Sequence, residues 1–261
     1  MAARDRVYKT EGVILRRRNF GEADSILTVF AGREGKFDAV ARGVRKARSH
    51  MRGHLEPLTH TRLLVAHGRN LDVLTQAETI QPFRAIREDL ERTAAALYCA
   101  ELVDQLSADR VSAPEVLDLL LVLLMALEQG APGPVRHWFE LHLLAISGYQ
   151  VQLEACASCG ARLAEVPTVL APAAGGLICL DCRPRAGAGR LLAVRTMKVL
   201  RFAGTAPLEA FSSLRLDDAL SHELQAALAD VIRHTLEREP RSGRYLDDIA
   251  RLPDRVWPGA V

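Results

Sequence analysis

The sequence predicts an α+β protein in which a small N-terminal β-barrel precedes a larger helical domain. Three observations predict it. The apolar period is near two up to about residue 80 and changes to 3.6 at Pro82. The first segment holds five short β-rich runs and one long basic connection, which fits a Greek-key barrel such as an OB-fold; an SH3-like barrel fits the pattern as well. A cysteine-bearing stretch then interrupts the helical part. The 261 residues suffice for about two domains, and divide into a barrel over 1–80, helices over 81–149 and 189–261, and an inserted module over 150–188.

Val13-Ile14-Leu15 is a short apolar strand core that ends in Arg16, Arg17 and Arg18. Ser25 to Phe30 is rich in β-formers. Gly32-Arg33-Glu34-Gly35 is a hairpin turn signal, with Lys36 to Ala41 returning. Thr61 to Ala66 and Leu71 to Thr75 form a second hairpin around His67-Gly68-Arg69-Asn70. Phe30 and Phe37 are expected in the core rather than as base-stacking platforms. Beyond Pro82, placed at a first helical position, Ile86, Leu90, Ala94, Leu97, Leu102 and Leu106 make one helical stripe. Ser112-Ala113-Pro114-Glu115 reads as a capping box, opening a central helix from Val116 to Gln129 that ends at Gly130. Pro134 opens a helix from Val135 to Ser147, stopped by Gly148. Helices resume over Leu191–Phe202, Asp217–Glu239 and Tyr245–Leu252, after a linker at Ala186 to Gly189.

Charge is uneven. Of 34 Lys and Arg and 32 Asp and Glu, residues 1–54 hold 13 and 6, a local +7, which leaves the rest at −5. A basic head on a mildly acidic body suits a polyanion binder. Arg42, Arg45, Lys46, Arg48 and Arg52 follow one another with no acidic residue after Asp38, bracketed by Gly43 and Gly53. With Arg16, Arg17, Arg18, Arg33 and Lys36 they are the candidate phosphate contacts, since guanidinium groups can hold phosphate oxygens in bidentate fashion. The bland alternative is a solvated charged face. Met1 to Tyr8 has no signal-peptide character, and the longest apolar run, Leu119 to Leu127, is shorter than the ~20 residues a membrane helix needs. A cytosolic protein is expected, with no membrane partner and no small-molecule substrate.

Cys156-x-x-Cys159 and Cys179-x-x-Cys182, 19 residues apart, have the spacing of a tetrahedral metal site. Four thiolates with no other ligand suit one structural Zn²⁺. Such a site carries a formal −2, which Arg162, Arg183 and Arg185 could offset. Cys99 reads as a small buried hydrophobe. The alternatives are a redox dithiol pair or free thiols.

No H-E-x-x-H, nucleophile elbow or phosphate-binding Gly-Lys loop occurs, so no enzyme is expected. Glu22 and Asp24 could hold a metal in a nuclease, or simply shape the turn before Ser25. A zinc-ribbon adaptor of the transcription or translation machinery is the other rival.

Thr10 to Leu15, Gly21-Glu22-Ala23-Asp24-Ser25-Ile26, Gly35-Lys36, Ala41 to Lys46, Gly68 to Leu71, Gln76-Ala77-Glu78, Tyr98 with Ala100-Glu101-Leu102, and Gly148-Tyr149 before the cysteine pairs together resemble the RecO family of bacterial recombination mediators. The resemblance runs almost end to end. It implies an N-terminal OB-fold, a helical domain with an embedded zinc finger, binding of single- and double-stranded DNA, and annealing of complementary strands. It implies action with RecR and the single-strand binding protein SSB in loading RecA onto coated gaps, in a bacterial, nucleoid-associated setting, and leaves RecF open as a further partner. The acidic, apolar SSB tail would need an apolar groove rimmed by Arg or Lys, for which Arg136 and Arg201 are candidates. The sequence departs from the family after Lys46, where Ala47-Arg48-Ser49-His50 replaces a Pro-Lys-Ser-Arg-like run. Charge is kept at Arg48, while His50 leaves the end of the loop weaker and pH-sensitive.

Overall fold

The computed structural model describes residues 6–130, 132–185 and 187–250. Five strands close into a barrel in the order β1-β2-β3-β5-β4: β1 (Val7–Phe20), β2 (Asp24–Ala31), β3 (Gly35–Ala41), β4 (His60–Ala66) and β5 (Asp72–Gln81). All pairings are antiparallel except β3 with β5, where Ala39 faces Asp72 and Val40 faces Val73. β1 closes the ring because it pairs β2 on one edge and β4 on the other. It is 14 residues long, far beyond the three-residue core legible in the sequence. A bulge between Ile14 and Arg16 lets three consecutive apolar residues find cover. Ile14 joins Leu27, Val29, Phe37, Leu63, Val65 and Leu74 inside the barrel, while Val13 and Leu15 join Phe30 in the helical core. Phe30 and Phe37 are thus both buried, in different cores.

The helical part is α1 (Arg84–Glu88), α2 (Leu90–Leu106), α3 (Pro114–Gln129), α4 (Pro132–Ile146), α5 (Val194–Thr205), α6 (Leu208–Ser212), α7 (Asp218–Leu236) and α8 (Arg241–Ala250). The single stripe expected from Pro82 is broken. Phe83 sits at φ +49° before α1, and Asp89 is extended, its carboxylate accepting the Arg92 N–H to start α2. Leu90, assigned to the apolar stripe, is instead exposed. The capping box also fails: Ala113 takes the cap position, and the Ser112 hydroxyl donates to the Gly32 carbonyl across the domain seam. α4 stops as expected, with Gly148 at φ +86° and the N–H groups of Gly148 and Tyr149 returning to the carbonyls of Ala145 and Leu144.

The inserted module carries a three-stranded antiparallel sheet, β7-β6-β8, from β6 (Thr168–Ala171), β7 (Gly176–Ile178) and β8 (Arg190–Leu192). Leu191, read as the start of a helix, therefore lies in a strand, and α5 begins at Val194. Of the last helix, Leu252 lies outside the described residues. Among the described residues no helix is long and apolar enough to cross a membrane.

The barrel is fixed to the helices by the connection between α2 and α3. The Arg110 N–H bonds the Lys36 carbonyl at 2.8 Å and the Ala113 N–H bonds the Gly32 carbonyl at 2.9 Å. The Arg110 guanidinium lies 4.6 Å over the Phe37 ring and reaches the buried Asp72 carboxylate at 2.5 Å. Tyr8 O–H donates to the same carboxylate at 2.8 Å. Burial acts to raise Asp72, but Arg110, Tyr8 and the Gly68 N–H outweigh it and hold the carboxyl below its usual range. A depressed folded pKa gives stability that is present above the unfolded value, about 3.9, and is lost as pH falls through the folded one, so this pairing is intact at neutral pH. Gly35, at φ +66°, lies so close to the same connection that a Cβ would stand 2.1 Å from the Val111 carbonyl oxygen. Gly35→Ala is therefore expected to destabilise the chain by about 1–3 kcal/mol from backbone strain alone, read as a lowered urea unfolding midpoint.

Candidate nucleic-acid interface and metal centre

The basic connection between β3 and β4, residues 42–59, is anchored rather than loose. Val44 and Leu55 are both fully buried and plug into the barrel core. Gly43, at φ +63°, gives its N–H to the Asp24 carboxylate at 2.7 Å, and the Arg45 N–H bonds the Ala23 carbonyl at 2.8 Å. Asp24 is therefore used in holding the turn that presents the arginines. Glu22, its partner in a nuclease reading, is exposed, and the pair belongs to no close group of three ligating side chains among the described residues.

The anchored turns leave Arg42, Arg45, Lys46, Arg48 and Arg52 exposed. Among the described residues, none of these five side chains has a carboxylate within 4.0 Å; Arg45 donates to the Gly21 carbonyl at 3.2 Å. Beside them is an open cleft of about 550 Å³ lined by Arg17, Asn19, Arg45, Arg52, Glu56 and Pro57.

The other candidates are dispersed. Arg16, Arg17 and Arg18 do not form one patch, because successive side chains on a strand point to opposite faces. Arg17 turns to the cleft, with Glu56 at 2.7 Å and Ser25 at 3.3 Å. Arg16 and Arg18 take the outer face. There Arg16 meets Asp104 at 3.5 Å and Thr28 at 3.3 Å, and Arg18 meets Asp38 at 2.9 Å. Lys36 is largely buried at the domain seam, with Nζ on the Asp104 carbonyl and on the carboxylates of Asp104 and Asp109 at 3.4 and 3.3 Å. Arg33 is exposed and unpaired among the described residues, but lies in the β2–β3 turn. That turn is at the far end of both strands from the basic connection, roughly 20 Å away at ~3.3 Å per residue. Of the expected ten, the structure brings Arg17, Arg45 and Arg52 together at one cleft and leaves Arg42, Lys46 and Arg48 exposed on the same connection. Sequence reasoning missed Asn19 and Glu56 in the cleft. Glu56 had a signal, being the single acidic residue between Asp38 and Asp72.

Arg136 and Arg201, expected as groove rims, have internal partners. Arg136 is buried, 3.4 Å from Glu140 and 5.7 Å over the Tyr98 ring. Arg201 is half-buried and donates to the Leu153 carbonyl at 2.8 Å.

In the inserted module one sulfur from each of Cys156, Cys159, Cys179 and Cys182 lies within 4.8 Å of the others. Four thiolates about 2.3 Å from one tetrahedral ion sit roughly 3.8 Å apart, and Cys159 Sγ and Cys179 Sγ are 3.9 Å apart. The backbone is shaped for this. Gly160 turns at φ +75° to return its N–H to the Cys156 carbonyl at 2.8 Å, and the Cys179 N–H points at Cys156 Sγ at 3.4 Å. Gly176 starts β7 where a Cβ would meet the Gln152 carbonyl oxygen at 2.2 Å. Burial opposes ionisation of Cys156, but the N–H groups of Cys179, Cys159 and Ser158 outweigh it and bring the thiol down to about 6. Hydrogen bonds that the Cys182 thiol donates to the sulfurs of Cys179 and Cys159, with burial, push it up to about 12. Four sulfurs this close together are spaced to hold one thiophilic metal ion. Arg162, Arg183 and Arg185, close to the knuckles in sequence, are all exposed. Protein dialysed after loading is expected to retain about one such ion per chain, and the Cys159→Ser variant far less, measured by elemental analysis.

Residues 4–83 match the family model described as recombination protein O N terminal, and residues 87–244 match recombination protein O C terminal. A DNA repair protein RecO of Roseiflexus sp. (strain RS-1) is 42% identical over 262 residues, covering 99% of this chain and 91% of that one. The DNA repair protein RecO of Dehalococcoides mccartyi (strain CBDB1) is 36% identical over 95% of this chain and 97% of its own. That of Desulforudis audaxviator (strain MP104C) is 37% identical over 92% and 96%. The chain belongs to the RecO family of DNA repair and recombination proteins.

Proposed function

We propose that this protein binds DNA along the basic connection of its barrel, anneals complementary strands, and acts with RecR to load RecA onto SSB-coated DNA. The observation that carries the reading is the set of five exposed cations, free of carboxylate partners among the described residues, held on an anchored turn beside an arginine-lined cleft. The barrel, with β1 shared and β3 parallel to β5, is read as an OB-fold, whose faces and loops accommodate a strand backbone.

Recognition through phosphates carries no sequence information, because the charges are the same at every nucleotide. Phe30 and Phe37 are buried in the two cores, Phe37 under Arg110, which leaves Phe20, next to the cleft residue Asn19 at the end of β1, as the exposed ring beside the cleft. With few rings to clasp bases, a bound strand keeps its bases free to pair, while the cations offset repulsion from an incoming complement. That combination is what annealing requires. The four-cysteine site is read as binding Zn²⁺, which would stabilise the small module, since thiolate ligands and a closed tetrahedral set suit zinc. Neither Arg136 nor Arg201 is offered as the SSB contact, given their internal partners.

Five neutralised phosphates give an expected slope of about −3.5 in log affinity against log salt for a single strand. Reversing Arg42, Arg45 and Lys46 to glutamate together is expected to lower affinity on the order of 100-fold at ~0.1 M salt, with the unfolding midpoint little changed. Fluorescence anisotropy with a labelled oligothymidylate measures the first and circular dichroism the second. An annealing assay without metal or nucleotide separates the reading from a nuclease: acceleration with intact strands supports it, and metal-dependent shortening sinks it.

A further inference from the structure

The arginine-lined cleft already holds an anion of its own. Glu56 is the one acidic side chain among its lining residues. Its carboxylate lies 2.7 Å from an Arg17 guanidinium nitrogen, while Arg17 Nε faces the Ser25 hydroxyl at 3.3 Å. Arg17 is largely covered, its side chain 14% exposed against 42% for Glu56. Arg45 and Arg52 line the same cleft without a carboxylate partner among the described residues. The geometry around Arg17 is therefore that of an oriented guanidinium with one oxyanion in place, two further guanidinium groups nearby, and open solvent on the remaining side.

The two parts of Glu56 differ in freedom. Its backbone is fixed between Leu55 and Leu58, both buried. The neighbouring main chain is bonded to β1, with Leu58 N–H on the Ile14 carbonyl at 2.7 Å and Ile14 N–H on the Thr59 carbonyl at 3.1 Å. Arg87 of α1 holds the same segment from the helical side, donating to the Pro57 carbonyl and the Thr59 hydroxyl at 2.7 and 2.8 Å. The half-exposed side chain can swing away by rotamer change alone. A partly exposed ion pair is worth little, up to about fivefold in an equilibrium, so a phosphate oxygen presented by a neighbouring Arg45 or Arg52 contact can replace it.

We propose that Glu56 is a built-in phosphate mimic: in the free protein it occupies the seat at Arg17 that a DNA phosphate takes on binding, and so limits the affinity of the basic cleft. This rests on the DNA-binding reading above. A self-competing seat weakens every phosphate contact at that position equally. It keeps Arg17 oriented when no strand is bound, and it lets a bound strand leave as the carboxylate returns. Both suit a protein that must release the strands it pairs.

The test is a double-mutant cycle on the full chain, Glu56→Gln and Arg17→Ala alone and together, with anisotropy of a labelled oligothymidylate across a salt series. Glutamine keeps the shape and removes the charge. Glu56→Gln is expected to bind about two- to fivefold more tightly at ~0.1 M salt, because no carboxylate has to be displaced first. In the Arg17→Ala background the same change is expected to have no effect, because the seat is gone. Tightening of equal size in both backgrounds would show that Glu56 acts only as general negative charge, and overturns the proposal. So does unchanged or weaker binding by Glu56→Gln in a protein whose melting temperature matches the parent. Failure of the parent chain itself to bind the oligonucleotide at any salt would instead overturn the DNA-binding reading, so the two failures are distinct.

Discussion

Two-sided burial of β1 is the constraint on which the rest of the structure depends. Val13 and Leu15 face the helices and Ile14 faces the barrel, each almost wholly buried, and the bulge at this point reconciles the three. One strand therefore belongs to two hydrophobic cores. Neither the barrel nor the helical part is complete without it, and the strand cannot shift register without exposing one set or the other. The same constraint sets the direction of the residues that follow. Arg17 falls on the cleft side because Arg16 and Arg18 fall on the outer side. The placement of a candidate binding residue is thus a consequence of packing three positions earlier.

Most of the strand pattern was legible because short strands with alternating burial advertise themselves, and because Gly35 and Gly148 mark turns that need positive φ. The cysteine cluster was legible because C-x-x-C spacing is local. What escaped was decided by tertiary partners. Asp89 breaks the first helical stripe by capping α2, a job that Ser112 was expected to do for α3. Leu191 pairs with Val169 in a strand, since β6 offers it an edge that no sequence window reveals. The true length of β1 depends on β4 being available along its other edge.

The candidate interface shows the same division. Charge density in the basic connection was visible in the sequence, but charge availability was not. Lys36 is adjacent in sequence to the basic set and yet neutralised at the seam by Asp104 and Asp109, which lie some 70 residues away. Arg18 is answered by Asp38 across two strands. Counting positive residues overestimates a phosphate surface wherever acids from other elements fold back on it, and the five cations of the basic connection are the ones with no carboxylate within 4.0 Å among the described residues.

The isolation of Cys99 has a consequence for how this protein meets oxidants. Its thiol is fully enclosed between helices and, by burial beside Glu140, stays protonated well above the ordinary range. Peroxide or disulfide reagents react with thiolates that they can reach, so they find no target in the helical core. The chain's other four thiols all lie in the inserted module, so thiol oxidation is concentrated there, away from the barrel and its arginines.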